Sequence, residues 1–411
     1  MTVADAPRAR PDPPTRAATP TRRGGTPRGL GLGASDLHGL ARIGIDATLA
    51  VTDAVEAMHA AIAGLAPPIG GAASTRTRGL TGFVYRRVRG TTRIVGAAID
   101  AAFALVPSST SAALPAPPHA GREAFVAALN GVFGDRLAAT GNPLAIAPSL
   151  RADGSGSPAG RRWLVLVHGL CMNELQWRRN GHDHGERLAR EAGWTVFRLR
   201  YNSGRRVAES GRDLARLLEA ELDAAGAPPD EIAILGHSMG GLVARSACAA
   251  AVAAGHAWPA RLRTLVCLGT PHHGAPLERG GHAIERLLGA SPYSAALGRL
   301  GGLRSAGIVD LRHGAVDDDD PPGAAPRANG GAARTPARVR IFAVAAVTGS
   351  HGRGARAGDG LVPLASALGR HPDPARALGL PAARTAVVSG ANHWDLLDHP
   401  EVRAHLDRWL A

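Results

Sequence analysis

Lysine is absent from this 411-residue chain, so all 47 of its basic side chains are arginine. With 34 acidic residues, the formal net charge is +13. Alanine, glycine and proline are abundant. Together with the use of arginine in place of lysine, this composition is typical of the coding bias of a GC-rich genome. The charge is therefore weak evidence for nucleic-acid binding, and no helix-turn-helix, zinc-ligand spacing or aromatic-basic strand pattern supports it. We expect no nucleic acid among the partners.

Aromatic residues are also scarce, at 4% of the chain, although 45% of the residues are hydrophobic. A sizeable core must therefore be built mainly from aliphatic side chains and alanine. The three cysteines, Cys171, Cys248 and Cys267, are odd in number and lie in or beside apolar stretches. We expect no disulfide framework and, by default, a reducing compartment. None of them has a histidine or cysteine at metal-ligand spacing, so no metal is expected.

Long apolar runs are missing too, and without eighteen consecutive uncharged apolar residues no membrane span is expected. The N-terminus is rich in proline, arginine, alanine and threonine and lacks the apolar segment of a secretory signal. The residues after Arg22 and Arg23 are too polar and broken for a twin-arginine signal. Residues 1–34 are predicted to be disordered. The expected localisation is cytoplasmic, with peripheral attachment to a membrane as a second interpretation.

Residues 35–120 contain two helical patterns, at 37–65 and 80–106, followed by a linker at 107–120. The apolar residues that recur at helical spacing are Leu40, Val51, Val55, Met58 and Ile62 in the first pattern and Val84, Val88, Val95 and Ile99 in the second. The second pattern also carries an arginine cluster, predicted to lie opposite its valines: Arg86, Arg87, Arg89 and Arg93. Two interpretations stay open. The helices form a hairpin packed on the main domain, or a basic amphipathic helix rests on an anionic membrane or covers a hydrophobic entrance.

Residues 121–411 begin with one more helical segment and then, from Arg161, alternate between strands and helices. This alternation predicts an α/β fold with a mostly parallel sheet and helices on both faces. Between about residues 275 and 337 the pattern breaks up. We predict a cap or loop insertion there, over the C-terminal edge of the sheet.

The segment EIAILGHSMGG contains the pattern Gly-x-Ser-x-Gly, with Ser238 between Gly236 and Gly240. The pattern alone is weak in a chain with 53 glycines, which could simply mark a turn. Its context is stronger, because an apolar strand precedes it and an alanine-rich helix follows. Strand, sharp turn and helix are the setting of a nucleophile elbow, in which only small flanking residues avoid a clash. We predict that Ser238 is a nucleophile.

A serine nucleophile needs a base, and the base needs an orienting carboxylate. His393 follows the last predicted strand, and Asp359 lies between two glycines after the strand before it. The chain order serine, aspartate, histidine is that of an α/β-hydrolase. Asp310 and the run 317–320 compete for the acid role. The run is poorly suited because adjacent carboxylates repel one another and prefer water, and Asp310 precedes the relevant strand.

The oxyanion of such a reaction needs two N–H donors. Gly169 follows a buried strand and lets the loop bend back toward the elbow, so that Leu170 offers its backbone N–H. The second donor is the N–H of Met239, directly after the serine. We assign His168 a structural role in this loop and no catalytic one.

Five segments, LVHGL, GHSMGG, LGTPHHG, GDGLVP and ANHWDLL, resemble the corresponding parts of bacterial lipases and inositol-deacylase-like hydrolases of the α/β-hydrolase superfamily. The resemblance runs from about residue 143 to the end of the chain. It implies Ser238 as nucleophile, His393 as general base and Asp359 as the orienting acid. It also raises the expectation that His272 or His273 touches substrate.

The sequence therefore predicts a serine ester hydrolase that acts on an apolar carboxylic ester, from a lipid to a small acyl ester, through an acyl-enzyme intermediate and without a cofactor. An acyltransferase or thioesterase on the same triad is one alternative. A membrane-attached, non-catalytic scaffold is another, against which the intact triad argues. Haloalkane dehalogenases and epoxide hydrolases are disfavoured, because they need an aspartate where Ser238 stands.

Overall fold

A computed structural model of the chain describes residues 32–64, 76–105, 120–154, 160–275, 305–317, 335–349 and 358–410. The α-helices within these ranges are α1 (Ala34–Gly64), α2 (Gly79–Ala104), α3 (Ala120–Ala139), α4 (His184–Ala192), α5 (Val207–Ala224), α6 (Met239–Ala254), α7 (Ala306–His313), α8 (Leu364–Ala367) and α9 (Pro400–Leu410). The strands are β1 (Ser149–Ala152), β2 (Arg162–Val167), β3 (Thr195–Arg200), β4 (Glu231–His237), β5 (Leu262–Leu268), β6 (Arg340–Val347) and β7 (Thr385–Ser389). Nearly all of the predicted disordered N-terminus, the linker and most of the predicted insertion lie outside these ranges.

The strands in the described ranges form one seven-stranded sheet in the order β1-β3-β2-β4-β5-β6-β7. Every neighbouring pair is parallel except β1 and β3. Side chains along a strand alternate between the two faces of the sheet. In β2, Trp163 and Val165 accordingly join one hydrophobic cluster, and Leu164 and Leu166 join another. The predicted mostly parallel sheet, buried on both faces, is confirmed.

Helices cover both faces of the sheet. On one side α5 and α6 contribute Leu214 and Leu242 to the first cluster. On the other side α4 and α9 contribute Leu188 and Leu406 to the second. Each of these side chains is at most 1% exposed, and burying one leucine contributes about 1.5–3 kcal/mol. The two aliphatic layers hold the sheet rigid, and its strand ends carry the candidate site.

A third, smaller cluster joins α3 to the start of α1. It contains Val126, Leu129 and Leu137 of α3, against which Leu40 and Ile43 of α1 pack. Only the first half of α1 takes part in this cluster. The second half of α1 runs alongside α2.

The helices α1 and α2 form an antiparallel pair, because His38 hydrogen-bonds Asp100 at 2.6 Å near one end and Glu56 binds Arg89 toward the other. The interpretation in which the valines of α2 form the packing face is wrong about the orientation of that helix. Arg89, expected among the exposed arginines, is buried, and Val84, expected on the packing face, is half exposed. The cause is the ion pair between Arg89 and Glu56, which turns the polar faces of the two helices toward each other.

Candidate active site

Ser238 lies at the turn between β4 and α6 with φ 55° and ψ −125°. A positive φ is uncommon for a residue with a side chain and costs on the order of 1–3 kcal/mol. Two backbone hydrogen bonds hold the turn. Ser238 donates its N–H to the carbonyl of Leu268 at 2.8 Å, and its own carbonyl accepts the N–H of Gly241 at 3.1 Å. The strained conformation is therefore imposed by the strand on one side and the helix on the other.

The two glycines of the motif are required by close backbone contacts. A Cβ atom on Gly236 would lie 2.5 Å from the backbone nitrogen of Gly241. A Cβ atom on Gly240 would lie 2.0 Å from the carbonyl oxygen of Val167 in β2. Both distances are far below van der Waals contact, so the elbow needs glycine at both positions.

His393 and Asp359 form a buried pair at the ends of β7 and β6. The imidazole Nδ1 and the carboxylate Oδ2 are 2.6 Å apart, and the residues are 1% and 2% exposed. The other carboxylate oxygen, Oδ1, accepts the N–H groups of Leu361 at 2.9 Å and Val362 at 2.7 Å. His393 also donates its own N–H to the carbonyl of Asp359 at 3.2 Å. Both side chains are thus fixed in position and orientation.

With Nδ1 bound to the carboxylate, the imidazole of His393 presents Nε2 as its second nitrogen. This nitrogen is buried and has no hydrogen-bond partner among the residues that the structure describes. An Asp-held histidine with a free Nε2 can accept a proton from a hydroxyl group placed next to it.

His237, which directly precedes Ser238, links the elbow to the base. Its Nε2 hydrogen-bonds the carbonyl oxygen of His393 at 3.2 Å, and the two imidazole rings are 4.8 Å apart. Burial, reinforced by the neighbouring His393, holds the pKa of His237 well below its usual range, so the ring is neutral and donates through Nε2. Nothing in the sequence singles out this residue, because it occupies a variable position of the motif.

The loop after β2 passes directly over the serine. A Cβ atom on Gly169 would lie 3.0 Å from the Cβ of Ser238, and the next residue, Leu170, is buried. On the other side, Met239 is the first residue of α6, so its N–H has no partner within the helix. The helix N-terminus also favours negative charge at this point.

His168 makes local contacts within the same loop. Its Nδ1 lies 2.9 Å from the carbonyl oxygen of Gly169, and its ring stacks on Tyr201 at 4.3 Å. Tyr201 donates its hydroxyl to the carbonyl of His168 at 2.7 Å. Burial lowers the pKa of His168 to about 4, so its ring is neutral near pH 7. These contacts brace the loop that carries Leu170.

The competing carboxylates lie in other surroundings. Asp310 in α7 accepts a hydrogen bond from Nε of Arg206 at 3.0 Å and one from the N–H of Val207 at 2.9 Å, at the start of α5. Asp317 is the last described residue before a gap, and residues 318–320 lie outside the described ranges. Of the candidate acids in the described ranges, Asp359 is the one that hydrogen-bonds His393.

The histidine pair that follows β5 contacts α6 and α8. His272 is buried, and its Nδ1 is 3.2 Å from Nη1 of Arg245 in α6. Burial and this guanidinium hold the pKa of His272 well below its usual range. His273 donates its backbone N–H to the hydroxyl of Ser366 at 3.0 Å. Their contact with substrate stays a prediction.

No group of three or more histidine, cysteine, aspartate or glutamate side chains in the described ranges is arranged to hold a metal ion. The three cysteines are free and buried, and burial raises the pKa of each thiol to about 12. At neutral pH they are therefore thiols, which are poor nucleophiles.

Comparisons with known proteins found one matching family and several similar solved structures. Residues 160–290 match the family described as PGAP1-like alpha/beta domain. No curated protein matches the chain. Among solved structures, mature Bacillus licheniformis lipase BlEst2 is 17% identical with a TM-score of 0.41, over 64% of this chain and 98% of that one.

Two further solved structures are similar to the chain. A thermophilic esterase from Thermogutta terrifontis, with malate bound, is 17% identical with a TM-score of 0.38, over 64% of this chain and 93% of that one. A lipase-esterase related protein from Clostridium acetobutylicum ATCC 824 is 10% identical with a TM-score of 0.39, over 64% and 99%. These identities and scores are too low to transfer an activity. The match of residues 160–290 to the PGAP1-like alpha/beta domain and the mostly parallel seven-stranded sheet show the α/β-hydrolase fold.

Proposed function

We propose that this protein is a serine ester hydrolase with Ser238 as nucleophile, His393 as general base and Asp359 as the acid that orients the base. The observation that carries the proposal is the buried 2.6 Å pair of His393 and Asp359, held against the residue that precedes a strained serine. A carboxylate-held imidazole beside a serine on a sharp turn is the arrangement that makes a hydroxyl nucleophilic.

In the first half of the reaction, Ser238 Oγ attacks the carbonyl carbon of an ester while Nε2 of His393 accepts the hydroxyl proton. The carbonyl oxygen becomes an oxyanion, and the N–H groups of Leu170 and Met239 are the donors proposed to stabilise it. Collapse of the tetrahedral intermediate breaks the bond between the carbonyl carbon and the alcohol oxygen. His393 gives its proton to the departing alcohol, and the acyl group stays on Ser238.

In the second half, Nε2 of His393 takes a proton from a water molecule, whose oxygen attacks the acyl carbon. The second tetrahedral intermediate expels Ser238 Oγ, which recovers its proton from His393, and the carboxylic acid leaves. Asp359 holds the imidazole in the required tautomer throughout and stabilises the imidazolium. This chain of steps needs neither a metal nor an organic cofactor.

An apolar ester fits the surroundings of the serine best. Three large apolar side chains, Leu170, Met172 and Met239, lie at most 1% exposed in the segments that flank Ser238. Apolar side chains in the segments next to the nucleophile favour acyl chains over charged substrates, and methionine adapts to different shapes. We therefore infer that the acyl portion of the substrate is apolar.

The proposal is tested by labelling the protein with a fluorophosphonate probe and by measuring hydrolysis of p-nitrophenyl esters of increasing chain length. We expect the probe to modify Ser238, and Ser238→Ala to abolish labelling and lower turnover by roughly four powers of ten or more. The matched control is Ser389→Ala, which removes an exposed serine at the end of β7 and should label like the wild type. Modification of a serine other than Ser238, or normal turnover in Ser238→Ala, would refute the assignment.

A further inference from the structure

In the α1–α2 hairpin, polar and small residues of α2 face α1, and most large apolar residues face outward. The side of α2 that faces α1 carries the buried residues Gly82, Arg89 and Gly96, one every seven positions. Arg89 binds Glu56 of α1 through Nη2 and donates through Nε to Asp53 at 2.6 Å. The hydrogen bond from Arg89 lowers the pKa of Glu56 to about 2, so this ion pair is intact at neutral pH. Around Arg89, charged and small residues therefore fill the space between the helices.

Large apolar side chains point away from that space. Eleven of the fourteen exposed large hydrophobic residues in the described ranges lie on the hairpin or directly after it: Leu37, Val51, Val55, Met58, Leu80, Phe83, Val84, Val88, Ile94, Val95 and Leu105. Leu80 is 79% exposed and Ile94 is 71% exposed. Soluble surfaces rarely carry so many apolar side chains in one place unless something covers them.

The hairpin is anchored at one end. Arg42 donates to the carbonyls of Thr140 at 2.8 Å and Gly141 at 3.1 Å, and Asn142 donates to the carbonyl of Gly39 at 3.0 Å. Along the axis of α1, Met58 lies about 24 Å from Arg42, at a rise of 1.5 Å per residue. The outer half of the hairpin, defined here as residues 51–60 and 76–93, thus extends well beyond this anchor.

The outer half also carries unbalanced positive charge. Its carboxylates, Asp53 and Glu56, are both bound by Arg89. Four arginines in α2 or just before it are exposed and take part in no ion pair among the described residues: Arg78, Arg86, Arg87 and Arg93. The guanidinium of Arg87 lies 4.9 Å from the ring centroid of Phe83, so positive charge and apolar surface are interleaved.

We propose that the outer half of the hairpin docks on the surface of an anionic lipid bilayer. Exposed valine, leucine and phenylalanine side chains would enter the boundary between headgroups and acyl chains, and the arginines would bind lipid phosphates. No helix in the described part of the chain is both long and apolar enough to cross a membrane. This inference goes beyond the proposed ester hydrolysis and does not depend on Ser238.

The positive charge of the outer half favours an anionic lipid surface over a second copy of the chain as its binding partner. Two hairpins packed through their outer halves would bring the same exposed arginines close together, and like charges repel. An anionic bilayer instead supplies phosphates for those arginines and an apolar layer for the side chains between them. The lipid surface therefore complements both features at once.

The test measures co-sedimentation of the full chain with vesicles of phosphatidylcholine alone and with vesicles that also contain phosphatidylglycerol. We expect binding to the anionic vesicles that weakens as salt is added, because the electrostatic attraction is screened. The double variant Arg86→Gln with Arg87→Gln should bind roughly thirtyfold more weakly, since each of the two arginines near the surface contributes about 1 kcal/mol. Leu80→Gln with Phe83→Gln should also weaken binding, at every salt concentration.

The matched control, Arg370→Gln with Arg408→Gln, removes two exposed arginines outside the hairpin and should bind like the wild type. Ser238→Ala should bind like the wild type as well, which separates this proposal from the proposed catalysis. The inference is overturned by equal affinity for neutral and anionic vesicles, or by equal losses in the control and the hairpin variants. A dimer in size-exclusion chromatography that Leu80→Gln with Phe83→Gln dissociates would also overturn it, since a second copy would then be the occupant.

Discussion

At the scale of single residues, three hydrogen bonds fix the orientation of the Asp359 carboxylate. Oδ1 accepts two backbone N–H groups, from Leu361 and Val362, and Oδ2 faces Nδ1 of His393. In Asp359→Asn the amide oxygen must take the place of Oδ1, because only an acceptor satisfies two N–H donors. The amide NH₂ then faces His393 and forces Nδ1 to accept, which places the ring proton on Nε2.

Asp359→Asn therefore favours the tautomer in which Nε2 cannot take a proton from Ser238. We expect turnover to fall by about four powers of ten while the fold is retained, as wrong-tautomer changes do. The measurement is kcat on a p-nitrophenyl ester, with circular dichroism to check folding. Asp310→Asn is the matched control: it weakens contacts to Arg206 and Val207 but should preserve turnover per folded molecule. The opposite pattern would transfer the acid role to Asp310.

The sequence pointed to Ser238, Asp359 and His393 as candidates because each has a local signal: glycines around a turn, or a position after an apolar strand. The contact between His237 and His393 has no such signal. It joins residues 156 positions apart and exists because the turn after β7 lies against the end of β4. The two N–H donors to Asp359 are likewise created by the shape of the turn that follows it.

At the scale of structural elements, the elbow depends on how closely α6 approaches β2. The carbonyl of Val167 points at Gly240, and Val167 is held in register with Gly236 by the pairing of β2 with β4. A methyl group at position 240 would contact this carbonyl at 2.0 Å, so strand or helix would have to move. Neither can do so without breaking the sheet or the turn.

We expect Gly240→Ala to lower the free energy of unfolding by about 2 kcal/mol or more, as overpacking of a rigid site does. The matched control is Gly226→Ala, because a Cβ atom there has no neighbour within 4 Å and the backbone has no positive φ. Urea unfolding monitored by tryptophan fluorescence measures both variants. Wild-type stability in Gly240→Ala would mean that the close contact of α6 with β2 is not required.

The elements themselves were largely predictable, whereas their orientation was not. Helical periodicity says which residues share a face, but Arg89 is buried through Glu56, a partner 33 residues away. The strand β1 was not predicted, since it spans only four residues at the antiparallel edge and buries a single side chain, Leu150. Long buried strands such as β2 carry a clear signal; short edge strands do not.

At the scale of the whole molecule, the sheet brings distant segments to one edge. The carboxyl ends of parallel strands lie on the same side, so the turns after β2, β4, β6 and β7 converge there. These turns carry Gly169, Ser238, Asp359 and His393. The site therefore forms only when the sheet is complete, which ties any activity to global stability.

That stability should depend on pH through buried histidines. Burial lowers the pKa of His168 to about 4 and that of His184 to about 3, and it holds those of His237 and His272 well below their usual range. His168 and His184 are neutral in the folded protein at pH 5, whereas in the unfolded chain all four histidines protonate as the pH falls through 6.5. Since the unfolded state then binds more protons, stability must fall as the pH is lowered from 6.5 toward 4.

His184 allows a direct test of this dependence of stability on pH, because it is fully buried and its Nε2 hydrogen-bonds the carbonyl of Leu396 at 3.1 Å. We expect the wild type to lose stability between pH 6.5 and 5, a window above the ordinary carboxyl pKa values. His184→Gln keeps a side chain that can donate to Leu396 but cannot titrate. The free energy of unfolding of this variant should depend less steeply on pH than that of the wild type, by up to about 1.4 kcal/mol per pH unit. This is the slope that one proton contributes once the histidine is protonated in the unfolded chain. Urea unfolding at several pH values measures both proteins, and equal slopes would mean that His184 takes up no additional proton on unfolding.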